Sequence, residues 1–284
     1  MTSPRGSELR RTSSAMTERA QILVFTALTL LVSWTYEAFI VVQGGVATFG
    51  LAGLLVLMWI PGLLSILMRL ALGLGFRDVG LTLGKPRFYA YAVIIPLALA
   101  VLTSLVCALL DIRQLAFIES HQLGRVVPLL LMMLAFGLIG ALGEELGWRG
   151  FLLPKMISAG VSHPYLSSGL IWAVWHLPLI AFGGYYHTDR IIATTVAYGL
   201  SIVALNFVIS ELRVRAQSVW VATCFHAAHN FFFQLAVPSL AFTRPGARSD
   251  LWEVIGGDSG LVVAALYAVA FLLLQRLGQQ RSGL

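Results

Sequence analysis

Long apolar runs broken by short polar stretches recur along the chain, near residues 21–42, 51–74, 88–110, 126–148, 165–182, 191–210, 217–237 and 254–275. A helix needs about 20 mostly apolar residues to cross the hydrocarbon core of a bilayer, so the pattern predicts eight spans. The fold class this implies is all-α: a multi-pass transmembrane helical bundle over residues 21–276, preceded by a polar tail over residues 1–20 that carries Arg5, Arg10, Arg11 and Arg19. The first run is too long for the apolar region of a cleaved signal and no small-residue cleavage site follows it, so it reads as an uncleaved first span. Between the second and third runs, Phe76 to Arg87 is short and mixed. It suits either a plain loop or a segment lying flat at the membrane surface with Phe76, Val79, Leu81 and Leu83 partly buried. There is no internal repeat and no low-complexity segment beyond the Ser/Arg-rich tail.

Composition strengthens this reading. Hydrophobic residues make up 58% of the 284 and charged residues 11%, with a mean hydropathy of +0.85. A soluble domain carries roughly 25% charged residues, so a soluble enzyme, a disordered chain and a nucleic-acid-binding domain are all excluded. The net charge of +6 and the sequence pI of about 9.7 then reflect the cation excess that membrane proteins keep on the cytoplasmic side. With the amino terminus inside, fourteen Lys and Arg residues fall in inner segments and five in outer ones. That asymmetry predicts both termini in the cytoplasm and a multi-pass protein of the cell membrane, with the lipid bilayer as its first partner and no nucleic acid. Cys107 and Cys224 lie inside apolar runs without metal-like spacing and read as small buried hydrophobes.

Against this background, ionisable residues inside spans are expensive and are functional candidates by default. They cluster in three places. Gly143-Glu144-Glu145-Leu146-Gly147-Trp148-Arg149 ends the fourth span. Adjacent residues on a helix point about 100° apart, so Glu144 and Glu145 cannot do the same job. Glu145 and Arg149 have the favourable spacing and order for a helical ion pair, which leaves Glu144 facing elsewhere. Trp172-Ala173-Val174-Trp175-His176 puts an imidazole roughly 17 Å along the fifth span, at 1.5 Å per residue, which is mid-membrane. His226-Ala227-Ala228-His229-Asn230 places His226 and Asn230 on one face of the seventh span, with His229 rotated away. Each cluster has a structural alternative: a solvated charge pair, a packed neutral histidine, and a polar seam between helices. Together they suggest one cytoplasm-facing polar cavity lined by spans four, five and seven. For Glu144 to reach the depth of the histidines, span four must continue as helix through Phe151-Leu152-Leu153.

The three clusters resemble the motifs of the CAAX-protease and bacteriocin-processing family of intramembrane glutamic endopeptidases: Glu-Glu-x-x-x-Arg, aromatic-x-x-x-His and His-x-x-x-Asn, in this order on successive membrane helices. Here they read Glu144-Glu145-x-x-x-Arg149, Trp172-x-x-x-His176 and His226-x-x-x-Asn230, with Trp172 where Phe is usual. The resemblance covers about 126–237. It implies a metal-independent, cofactor-free CAAX-prenyl-protease-like endopeptidase (a hydrolase) acting on a membrane-associated peptide or protein, whether or not that substrate is prenylated. It implies Glu144 as the general base and His176 as the group that holds and polarises water. His226 and Asn230 become oxyanion donors. Glu145, Arg149 and Trp172 become supports, with Glu145 and Arg149 either fixing the helix end or binding a substrate carboxylate.

Rival chemistries fit less well. A zinc protease has two carboxylates and three histidines to draw on, but there is no His-Glu-x-x-His helix and Asn is a poor zinc ligand. Ser167 and Ser168 precede Gly169 without a base beside them, which disfavours a serine peptidase. A transporter would show matching interrupted spans, and Glu37, the one further intramembrane carboxylate, reads as a snorkelling or interfacial residue. Members of the same family also serve as non-catalytic self-immunity or scaffold proteins; retention of every motif residue favours catalysis.

Overall fold

The computed structural model describes residues 16–186, 188–240 and 244–282; of the expected polar tail, residues 1–15 lie outside this set. Helix α1 (Glu18–Val42) starts inside that expected tail, because Thr17 Oγ1 accepts the Ala20 N–H and supplies its cap. The helices that follow are α2 (Val46–Leu72), α3 (Pro86–Leu109) and α4 (Leu123–Gly147). Next come α5 (Leu153–Ser158), α6 (Pro164–Trp175), α7 (Leu177–Phe182) and α8 (Ile191–Ala216). The last are α9 (Val219–Asn230), α10 (Val237–Leu240) and α11 (Leu261–Ser282). Proline opens α3 and α6, where its missing N–H costs nothing. A two-residue antiparallel pair, β1 (Arg113–Gln114) with β2 (Arg244–Pro245), is the one sheet among the described residues. The chain is thus an all-α membrane bundle.

Seven helical stretches among the described residues are long and apolar enough to cross a membrane. The eighth expected span is helical too, running Val219–Leu240 through α9, a π-helical turn and α10. His226, His229, Asn230 and Gln234 make it too polar to qualify by composition. Its burial between α3, α4 and α8 accounts for that polarity. Span four does continue past the acidic pair: α4 passes into a π-helical turn, Trp148–Leu152, and then α5. Span five departs from a single rod. It breaks at His176, because Pro178 has no N–H with which to continue the ladder.

Helices α2 and α4 approach closely along Gly62, Gly143 and Gly147. A Cβ on Gly147 would stand 2.5 Å from the Pro61 side chain, one on Gly143 would stand 2.8 Å from the Met58 carbonyl oxygen, and one on Gly62 would collide with the Gly143 carbonyl. Small residues are how membrane helices gain close contact without a hydrophobic drive between them. Here they fix the height and rotation of the turn that carries Glu144.

Of the segment 76–87, residues 76–85 form a loop with one 3-10 turn, Arg77–Val79, and Pro86 and Arg87 already open α3. Val79 alone of its four apolar residues is buried, while Phe76, Leu81 and Leu83 stay exposed. The loop clamps the α8–α9 turn through Trp220 Nε1–H to the Leu81 carbonyl (3.0 Å) and the Val219 N–H to the Gly80 carbonyl (2.8 Å). It also lies under the π-helical turn after α4. There the Arg69 guanidinium donates to the Gly150 carbonyl (2.8 Å) and the Arg213 guanidinium to the Arg149 carbonyl (3.1 Å). Both arginines are buried. They satisfy carbonyls at the wider turn, which supports this π segment beside the acidic pair. Cys107 is buried and Cys224 half-buried, both as free thiols.

Candidate active site

The three motifs meet at one interior cavity of about 200 Å³. Glu144, Trp172, His176, His226 and Asn230 all line it. Glu144 is only 2% exposed. Its Oε2 accepts the indole N–H of Trp172 at 2.8 Å and that of Trp148 at 3.3 Å. Oε1 makes no hydrogen bond among the described residues, so one carboxylate oxygen is held and the other remains for a ligand.

Glu145, one residue on, faces the protein instead. It is 0% exposed and its Oε1 accepts from Arg149 (2.8 Å) and from His226 Nδ1 (2.9 Å). Arg149 is equally buried, donates its second amino group to Asn206 Oδ1 (2.8 Å), and lies 4.1 Å over the Trp172 ring. Asn206 in turn donates to the Tyr165 carbonyl and to Ser168. Neither Glu145 nor Arg149 lines the cavity. Of the two readings the sequence left open for this pair, the geometry favours the internal brace.

The hydrogen-bond network assigns the imidazoles. His176 Nδ1 lies 2.8 Å from the Trp172 carbonyl and must be the protonated nitrogen there. That carbonyl is left over by the break, because the His176 N–H turns to Ala173 instead. In the neutral ring Nε2 is then an acceptor. His226 likewise commits Nδ1–H to Glu145 and offers Nε2: as a donor when the ring is doubly protonated, as an acceptor otherwise. His229, which the sequence pattern rotated away, also lines the cavity and is held by Tyr267 at 2.9 Å. Asn230, at the start of the second π-helical turn, makes no side-chain hydrogen bond among the described residues.

The cavity wall is broader than spans four, five and seven. Leu51, Leu54, Leu55 and Met58 of α2 face Met133 and Phe136 of α4 to form an apolar side, and Tyr198 of α8 packs edge-on to His176 at 5.2 Å. Tyr185, Gln234 and Ser259 make a polar end. Asp258 anchors that end by accepting from Tyr186 (2.5 Å) and Gln234 (2.8 Å). Burial and the nearby Asp258 charge push the Tyr186 phenol well above its ordinary range, so it stays a neutral donor. Among the described residues, no three His, Cys, Asp or Glu side chains form a group able to hold a metal ion.

Comparison with known proteins falls on the same stretch. Residues 126–232 match the family described as type II CAAX prenyl endopeptidase Rce1-like. The likeness to that family rests on this segment. Its ends, in α4 and the second π-helical turn, bracket all three motifs. The chain is also 30% identical over 124 residues to a protein named CAAX prenyl protease 2 from Methanococcus maripaludis; the aligned part spans 42% of this chain and 42% of that relative.

Several residues at this cavity lie beyond the motif pattern. Asn206 had a readable signal, an amide in the middle of span six. The indole N–H of Trp148 and the ring of Tyr198 had none, since aromatic residues fill membrane helices for packing alone.

Proposed function

We propose that the protein is a multi-pass peptidase of the cell membrane that hydrolyses a peptide bond near the end of a membrane-associated substrate, by a glutamate-histidine mechanism without a metal. The observation that carries this reading is the shared cavity: one carboxylate with a free oxygen, two imidazoles with their inner nitrogens unspent, and an unengaged amide.

A water bound between Glu144 and His176 Nε2 would give a hydrogen to each and turn its lone pairs toward a substrate carbonyl. Glu144 would take the proton as the oxygen attacks, which is general-base catalysis. The new oxyanion would lie against Asn230 Nδ2 and, in its doubly protonated form, His226 Nε2, with Glu145 neutralising that ring. When the C–N bond breaks, the proton held on Glu144 passes to the departing amine.

The apolar wall suits an aliphatic or isoprenyl chain, and the polar end suits the peptide. The name of the Methanococcus maripaludis relative supports the isoprenyl version. The test is cleavage of a quenched C-terminal peptide, with and without a farnesyl group, by the purified protein in proteoliposomes containing excess chelator. Turnover that requires the lipid and survives the chelator supports the proposal. Turnover abolished by chelator and restored by zinc would favour the metalloprotease instead.

A further inference from the structure

Glu37 lies in α1, outside the family segment, and is 0% exposed. Its position removes the snorkelling reading: the carboxylate points into the bundle, where its Oε2 accepts the Leu179 N–H at 3.2 Å. The other oxygen, Oε1, is buried and unpartnered among the described residues. A buried carboxylate is costly in a membrane protein, and the cavity chemistry makes no use of this one.

Its place relative to His176 suggests a use. The break after Trp175 leaves backbone groups without helical partners. Pro178 has no N–H, Ile180 N–H bonds the His176 carbonyl, and Leu179 N–H is left for Glu37. The residue at the break would ordinarily supply a capping side chain. His176 supplies none, because its ring turns back to the Trp172 carbonyl and presents its far nitrogen to the cavity. Helix α1 packs on both α6 and α7 and so spans the break.

We propose that Glu37 is a positioning residue for His176: by accepting the Leu179 N–H it fixes the helix break from which the His176 ring enters the cavity. The role in turnover rests on the peptidase reading; the effect on His176 does not.

The experiment compares full-length wild type, Glu37→Gln, Glu37→Met and Glu37→Ala in detergent and proteoliposomes. Gln keeps an oxygen acceptor of the same reach; Met keeps the volume without the acceptor. Two measurements are made: diethylpyrocarbonate modification of His176 and His226 by peptide mass spectrometry, and kcat and KM on the quenched peptide. For Glu37→Met, His176 modification should rise at least several-fold with His226 unchanged, and kcat should fall by about 10²-fold with KM nearly constant, the loss that a misplacement near 1 Å brings. Glu37→Gln should stay close to wild type in both. Should Met fail to accumulate, Ala replaces it in the same comparison. Unchanged His176 modification in Met or Ala overturns the proposal, as does Gln behaving like Met. A wild type inactive on every peptide would sink the peptidase reading, while the modification data would still decide the role of Glu37.

Discussion

Glu144 and Glu145 are neighbours in sequence, equally buried, and opposite in character. Glu145 belongs to a buried network with Arg149, Asn206 and His226, away from the cavity. Glu144 is held by two indole N–H groups on one oxygen and opens its other oxygen to a cavity. The difference arises from the 100° between successive helical residues and from what each face meets: α8 and α9 on one side, the cavity on the other. A buried charge compensated by a guanidinium braces the fold; one compensated only by neutral dipoles stays available for chemistry. The two faces should therefore fail differently when altered.

The largest separation is expected at Glu144. Glu144→Gln should lower kcat by about 10²–10⁴-fold, the usual worth of a general base, with the midpoint of thermal unfolding in detergent near that of wild type. On the other face, Arg149→Ala should cost about 3–5 kcal/mol by stranding the Glu145 carboxylate, read as a large fall in that midpoint. Glu145→Leu combined with Arg149→Met removes both charges and should recover much of that stability, because a well-packed apolar pair can replace a buried ion pair. Turnover should not recover, since His226 loses the acceptor of its Nδ1–H. Full recovery of both would erase the distinction between the faces.

Smaller effects sharpen it. Asn230→Ala should cost about 3 kcal/mol in the barrier, near 10²-fold in kcat, as loss of one oxyanion donor does. Trp172→Phe restores the residue usual in the family motif but deletes the N–H to Glu144. It should cost about 1.5–3 kcal/mol in kcat/KM, the range for a hydrogen bond to a charged group, and leave Arg149 stacked. The least effect is expected at Asp78, under the brace. Burial pulls its carboxyl upward, but the Arg69 guanidinium 2.6 Å away outweighs this and holds it below the usual carboxylate range. Its stabilising contribution is then complete above an ordinary Asp pKa of about 3.9 and is lost as pH falls through the lower folded value. With a carboxylate 40% exposed, it should amount to under about 1 kcal/mol. Unfolding midpoints of wild type and Asp78→Asn should converge as the pH is lowered below 4.

Much of the bundle was legible in the sequence because lipid imposes a simple rule on composition, and eight apolar runs emerged as helices. The motif residues were legible because charge is rare in such runs. What stayed hidden depended on three-dimensional neighbours. Spacing placed Glu145 beside Arg149 but not beside His226, which comes from a helix 81 residues away in sequence. Trp172 read as packing, yet one side chain donates to Glu144, stacks under Arg149 and shares its carbonyl with His176. Pro178 was visible, but the consequence of its missing N–H, a helix break filled from α1 by Glu37, was not. The run that carries His226 is the least apolar of the eight, because its polar residues face protein rather than lipid.

The most direct measurement is the turnover of a farnesylated, quenched C-terminal peptide by purified protein in proteoliposomes, in excess chelator, for wild type beside Glu144→Gln at matched folded concentration. Cleavage by wild type, with loss of at least about a hundredfold in the variant, is the predicted result. Equal cleavage by the two proteins would contradict a catalytic Glu144, and with it the reading of the cavity as a glutamate-based active site.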